Sequence, residues 1–280
     1  MRLSQLMDWM LALDRRVIYT LVFVGVTFPF YVNWPPIRID VSPEVEATYQ
    51  VIDQLEPDSS PLLLSFDYDP AAAAELTPMA EAVLHHCFSK GIRVLVISLQ
   101  YTGLGAGLAN EIVPRIAQQY GRVQNEDWAF LGFQPNAVVA MLQMGESMRN
   151  TFPVDYYGTP YDEIPLLESI QNYAQIPVVL SLASTAVGEY WAVYAGSRYG
   201  LRVLTGVTAV YVADIQPFYQ TGQISGVLGG LKGAAEYEKR IERPADGTNG
   251  MRSQKVIHYL IILFIVLGNI AFWSAKRRGE

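Results

Sequence analysis

Two uncharged apolar stretches, 17–34 and 257–273, lie near the ends of a 280-residue chain, and short apolar runs alternate with amphipathic segments between them. As a helix, 257–273 would span roughly 26 Å at 1.5 Å per residue, close to a hydrocarbon core of about 30 Å. Tyr259 and Trp273 fall at its two ends, where amphipathic rings favour the headgroup layer, and Lys276, Arg277 and Arg278 follow directly. The spacing therefore predicts a membrane span over 257–275 with a tail at 276–280. Residues 17–34, preceded by Arg15 and Arg16 and followed by Pro35 and Pro36, read as a first span, uncleaved because bulky residues follow the run where a signal peptidase needs small ones. Ahead of it, Leu3, Leu6, Met7, Met10 and Leu11 recur at helical spacing, which predicts an amphipathic helix over 1–16.

Between the spans, the apolar runs 61–66, 92–99, 128–133 and 178–182 predict buried strands, and 201–214 predicts one or two more. Helical patterns over 45–55, 78–89, 108–120, 136–149, 164–173 and 189–198 alternate with them. Continuous apolar strands separated by helices point to a parallel sheet covered on both faces. The expected fold is α/β, doubly wound and mostly parallel, flavodoxin- or Rossmann-like, over residues 35–242 and bracketed by two transmembrane helices. The stretch 243–256, with Pro244, Gly247 and Gly250, reads as a linker to the second span.

Charge sets the expected orientation. Residues 35–256 carry 14 basic and 24 acidic side chains, a net charge of −10, whereas the outer ends are more than twice as dense in Lys and Arg. The positive-inside rule places both termini in the cytoplasm and the α/β domain outside it. A domain this acidic is a poor partner for nucleic acid. The single cysteine, Cys87, excludes an intrachain disulfide and a cysteine-based zinc or iron–sulfur site. Adjacent His85 and His86 point about 100° apart on a helix and would not ligate one metal together. No GxSxG elbow and no HExxH pair occurs, so no catalytic residue, cofactor or metal is assigned.

In an open parallel sheet, ligands bind beyond the carboxyl ends of the strands. Those ends supply Asp67 and Asp69, then Ser98 and Gln100 with Gly103 and Gly105, then Gln134 and Asn136, then Ser184 and Thr185, and finally Asp214. The same residue types also cap the following helices, so the two roles compete at every position. Asp67 and Asp69 also sit where some phosphatases hold a nucleophile and an acid with magnesium, but Pro70 and Ala71 follow where a flap is needed. Gly222, Gly226, Gly229, Gly230 and Gly233 recur at intervals of three and four. On a helix they would form one smooth face suited to close approach of another backbone in assembly, as small-residue stripes permit. A mobile glycine-rich loop is the competing reading.

The blocks 67–78 and 206–238 resemble an uncharacterised group of prokaryotic membrane proteins with two spans around an α/β domain. The resemblance implies a shared architecture and carries no known activity. The second block is also loosely similar to the last strand and helix of periplasmic solute receptors. Together these readings lead to the expectation of a membrane-anchored, non-enzymatic subunit in contact with lipid and with other membrane subunits, as a homo- or hetero-oligomer. Its domain would mediate assembly or bind a partner or small ligand. A tethered solute receptor and a magnesium-dependent hydrolase using Asp67 and Asp69 are the alternatives.

Overall fold

The computed structural model describes residues 14–31 and 38–278; most of the expected amphipathic helix over 1–16 lies outside them. From the N-terminus, α1 (Arg15–Tyr31) and α2 (Pro43–Asp53) precede β1 (Leu62–Asp67), α3 (Ala73–Lys90), β2 (Val94–Ser98), α4 (Leu104–Gln119), β3 (Trp128–Phe133) and α5 (Ala137–Glu146). There follow β4 (Val178–Ala183), α6 (Val187–Tyr190) running into a π-helical turn at Trp191–Gly196, and β5 (Arg202–Val207). The chain ends with α7 (Val212–Gln220), β6 (Gly226–Gly229), α8 (Gly230–Arg240) and α9 (Asp246–Arg278). Two compact units result, residues 39–248 and the segments that flank them.

The larger unit holds one six-stranded parallel sheet in the order β3-β2-β1-β4-β5-β6. This is the order of a dinucleotide-binding doubly wound sheet and differs from the flavodoxin order, in which the second strand lies at the edge. Every residue of β1, β2 and β4 is buried, because helices cover both faces. Successive side chains alternate between those faces. Leu62, Leu64 and Phe66 of β1 join one core with α3, α4 and α8, and Leu63 joins the other with α5 and the π-helical turn.

Two expectations are corrected. The stretch 164–173 holds a short 3-10 turn at Pro165–Leu167 and the start of another at Tyr173–Gln175 instead of a helix. Of the one or two strands expected in 201–214, one forms, β5, and Val212 and Asp214 open α7. The five glycines share no helix face. Gly222 sits in a turn at φ +76°, Gly226 and Gly229 bound β6, and Gly230 at φ +58° and Gly233 belong to α8. Neither a smooth helix nor a mobile loop describes them.

Their absence of side chains serves packing inside the domain. A Cβ at Gly226 would run into Thr48 of α2, and one at Gly229 would lie 2.8 Å from Val212. The helix α2 therefore lies directly on β6. We expect Gly226→Val to destabilise the domain by roughly 2–3 kcal/mol through overpacking, read as a lower unfolding midpoint. An unchanged midpoint would refute this close approach.

In the flanking unit, one helix among the described residues is long and apolar enough to cross a membrane, Asp246–Ser274, with 6% of its apolar window buried. This corrects the expectation of two such spans, because α1 has 17 described residues. The stretch read as a linker is helical from Asp246. Both helices keep their polar side chains satisfied locally. Thr20 and Thr27 donate to the carbonyls of Arg16 and Phe23, and Asn269 Nδ2 donates to Ile265 O at 2.7 Å. The two helices meet at Gly25, where a Cβ would collide with Leu260 and lie 3.6 Å from Val256 Cγ1.

Candidate ligand cleft at the carboxyl edge of the sheet

The chain turns to opposite sides of the sheet after β1 and after β4, neighbours in it, so a crevice opens beyond their carboxyl ends. There the loops after β2, β3 and β4 enclose a cleft of about 370 Å³. Leu99, Gln100 and Tyr101 come from the first loop, Asn136 begins α5 from the second, Thr185 comes from the third and Tyr190 from the end of α6. No Lys, Arg, Asp or Glu lines it. Tyr101 and Tyr190 are 71% and 38% exposed and carry the aromatic surface of its mouth.

Each end of the cleft is held by a cap. Asn136 Oδ1 accepts the Val139 N–H at 3.2 Å and so starts α5. Gln100 is 2% exposed, and its Oε1 accepts both the N–H and the hydroxyl of Thr102, at 2.9 and 2.5 Å. Gly103, at φ +74°, then turns the chain into α4. A Cβ at Gly105 would collide with the carbonyl of Phe66, so this glycine admits α4 against the end of β1.

Asp67 lies under the cleft. Its side chain is fully buried and both oxygens are occupied: Oδ1 accepts Ser65 Oγ–H at 2.7 Å and Leu99 N–H at 2.8 Å, and Oδ2 accepts Ser181 Oγ–H at 2.8 Å and Trp191 Nε1–H at 3.3 Å. Burial pushes its carboxyl above the usual carboxylate range, opposed by these four donors. With every oxygen engaged, Asp67 ties β1 to β2, β4 and the π-helical turn and offers no free lone pair to a metal or substrate. Asp69 is half-buried and accepts the Ala71 N–H at 3.0 Å, closing the turn into α3. Tyr68 between them is fully buried, with its hydroxyl 3.1 Å from Thr77. The βα turn where a dinucleotide fingerprint would need glycines therefore holds an inward-packed tyrosine.

The remaining candidates divide. Thr185 lines the cleft, whereas Ser98 is buried and donates to Phe66 O at 2.7 Å. Gln134 donates through Nε2 to Thr151 O at 2.6 Å, and the Ser184 N–H points at Asp67 O at 3.5 Å. Asp214 is exposed on α7, where its charge adds to desolvation in raising the Glu189 carboxyl. Of the strand-end candidates, Gln100, Asn136 and Thr185 line the cleft and the others do not. Tyr101, in a loop, and Tyr190, at the end of α6, are exposed aromatic residues that carry no spacing signal.

A second polar cluster surrounds α8, which runs back from the carboxyl edge. Glu236, fully buried, accepts both the N–H and the hydroxyl of Ser42, at 3.0 and 2.6 Å, at the start of α2, and pairs with Lys232. Glu238, 1% exposed, accepts N–H groups from Ala245, Gly247 and Thr248 at 2.9, 2.7 and 2.8 Å and the Thr248 hydroxyl at 2.7 Å. One helix thus places a carboxylate at the N-terminus of α2 and another at that of α9, where unpaired N–H groups and the helix dipole favour negative charge.

Beside them His86 stacks on Tyr49 at 4.7 Å, with Nε2 3.2 Å from Asp53 Oδ1 and Nδ1 2.7 Å from the Tyr237 hydroxyl. The carboxylate requires a proton on Nε2, so Nδ1 accepts from Tyr237 in the neutral tautomer. The Lys90 ammonium at 2.7 Å, with these bonds, holds the Asp53 carboxyl down to about 2. Burial lowers both histidines, His85 to about 4 with help from Arg243 and Arg115. A base lowered in the fold binds fewer protons there than in the unfolded chain, so its contribution is full above the ordinary histidine value and is lost as pH falls. We expect the domain to lose on the order of 2 kcal/mol between pH 7 and pH 4 from His85. Thermal unfolding followed across that window should flatten in His85→Gln; an unchanged slope would assign the loss elsewhere.

The chain matches no protein-family model, no curated protein and no solved structure, so its function rests on the geometry of the cleft.

Proposed function

We propose that this chain is a membrane-anchored, non-enzymatic binding subunit whose α/β domain takes a small ligand in the cleft at the carboxyl ends of β2, β3 and β4. The observation that carries the reading is the cleft itself: a cavity of about 370 Å³ at the crevice of a doubly wound sheet, free of charged side chains and edged by two tyrosines. Cavities of this size, apolar with a few oriented polar groups, are the usual form of small-molecule sites. Exposed Leu104, Val139 and Val210 along the same edge support a protein partner that covers it, in line with a subunit of a larger membrane complex. The apolar character of α9 supports anchoring by that helix, and the basic cluster that follows it supports a cytoplasmic C-terminus with the domain on the opposite side.

The test is a thermal-shift screen of the full chain in detergent against small-metabolite classes. A ligand at 100 times its dissociation constant should stabilise by about 2.7 kcal/mol. Ala186→Trp, which fills the cleft, should abolish the shift. A flat screen, or a shift that survives the tryptophan, would contradict the proposal.

A further inference from the structure

In the cleft the side-chain amides of Gln100 and Asn136 present donors, because their oxygens are engaged by neighbours. Gln100 is 2% exposed and its amide orientation is set by its neighbours, because the Thr102 N–H demands an oxygen opposite it. Its Nε2 then faces away from Thr102, and among the described residues it makes no hydrogen bond although the residue lines the cleft. The same logic holds for Asn136, whose Oδ1 is committed to the Val139 N–H and whose Nδ2 has no partner among the described residues. Behind it, the Ala137 and Val138 N–H groups open the ten-residue α5 and have no hydrogen-bond partner among the described residues.

We propose that the cleft takes a small organic acid, its carboxylate held by Gln100 Nε2, Asn136 Nδ2 and the free N–H groups of Ala137 and Val138, with its apolar body between the Tyr101 and Tyr190 rings. The proposal rests on the cleft assigned above and adds the class of ligand. A single carboxylate suits donors backed by the positive end of one helix dipole. A di- or tri-anionic phosphate would demand the Lys or Arg that this lining lacks, and an amine would demand a carboxylate.

The experiment titrates benzoate and hexanoate, and their matched amides benzamide and hexanamide, into the full chain in lipid nanodiscs by calorimetry. The acids are expected to bind at least about tenfold more tightly than the amides, a difference of about 1.4 kcal/mol. Asn136→Asp retains the acceptor that caps α5 and turns the donor into an anionic oxygen. It should weaken the acids at least about tenfold with little change in melting temperature, because Asp caps as well as Asn. Gln100→Glu should act in the same direction.

Amides binding as tightly as acids, no acid binding at all, or full acid affinity in Asn136→Asp would overturn the carboxylate assignment. The cleft reading is separable, because it fails if the metabolite screen is flat or if binding of the compound that shifts the melting temperature survives Ala186→Trp.

Discussion

Glu238→Ala is expected to lower the stability of the domain by roughly 3–5 kcal/mol, the scale seen when one partner of a buried charged arrangement is removed. Alanine would leave the Ala245, Gly247 and Thr248 N–H groups and the Thr248 hydroxyl without the carboxylate that accepts all four. Water is a poor substitute at a residue 1% exposed. Glu238→Gln should lose about half as much, since one carbonyl oxygen still accepts while the charge facing the helix start is gone. Chemical unfolding of the full chain measures the stability change, and hydrogen exchange at 245–248 localises it. Faster exchange confined to those amides is the expected pattern. Equal stability of the alanine variant would mean that α9 starts without help from α8.

Asp67→Ala is expected to cost a similar roughly 3–5 kcal/mol, for a related reason. It strands the Leu99 and Trp191 N–H groups and two hydroxyls in a site with no solvent access. Leu99 is itself a wall of the cleft, so ligand binding should fall with stability. Asp67→Asn separates charge from shape: its amide oxygen keeps the Leu99 and Ser65 bonds, but its NH2 meets the Trp191 N–H, donor against donor. The pH dependence has a definite sign. An acid whose folded-state value is raised contributes stability that is full below its unfolded value and is lost as pH rises through the folded one. The penalty for Asp67→Asn should therefore be larger at pH 4 than at pH 7, opposite in sense to the histidine contribution. A penalty that grew with pH would show that Asp67 is held as a carboxylate by its four donors.

These two carboxylates also show what the chain reveals before folding. The runs at 61–66, 92–99, 128–133 and 178–182 matched β1 to β4 to within a few residues, because parallel strands buried on both faces leave an uninterrupted apolar signal. The sixth strand escaped that signal, since two of its four residues are glycines chosen for contact with Thr48 and Val212. Intervals of three and four among five glycines imitate a helix face by number alone, and only the packing of α2 on β6 distinguishes the cases.

At the site, strand ends were legible and side-chain directions were not. Asp67 follows Ser65 at a spacing of two inside a buried run, which places both on one face of the sheet. That spacing marks an acid turned inward, and a strand-end reading alone takes it for a ligand. Gln100 and Asn136 were visible as polar residues at strand ends, but their free donors follow from the Thr102 and Val139 N–H groups that claim their oxygens. Glu236 and Glu238 sit at i and i+2 on α8 and gave no warning. Their partners lie at Ser42 and at 245–248, and the closure of the fold brings them together.

The central claim is that the domain meets its ligand at the carboxyl edge of the sheet. Hydrogen–deuterium exchange of the full chain in lipid nanodiscs tests it most directly, comparing the free protein with the protein saturated by the compound that shifts its melting temperature most. The account predicts slower exchange concentrated at 99–102, 135–139 and 185–191. Protection at 146–171 on the flank of the domain, with those three loops unchanged, would contradict it.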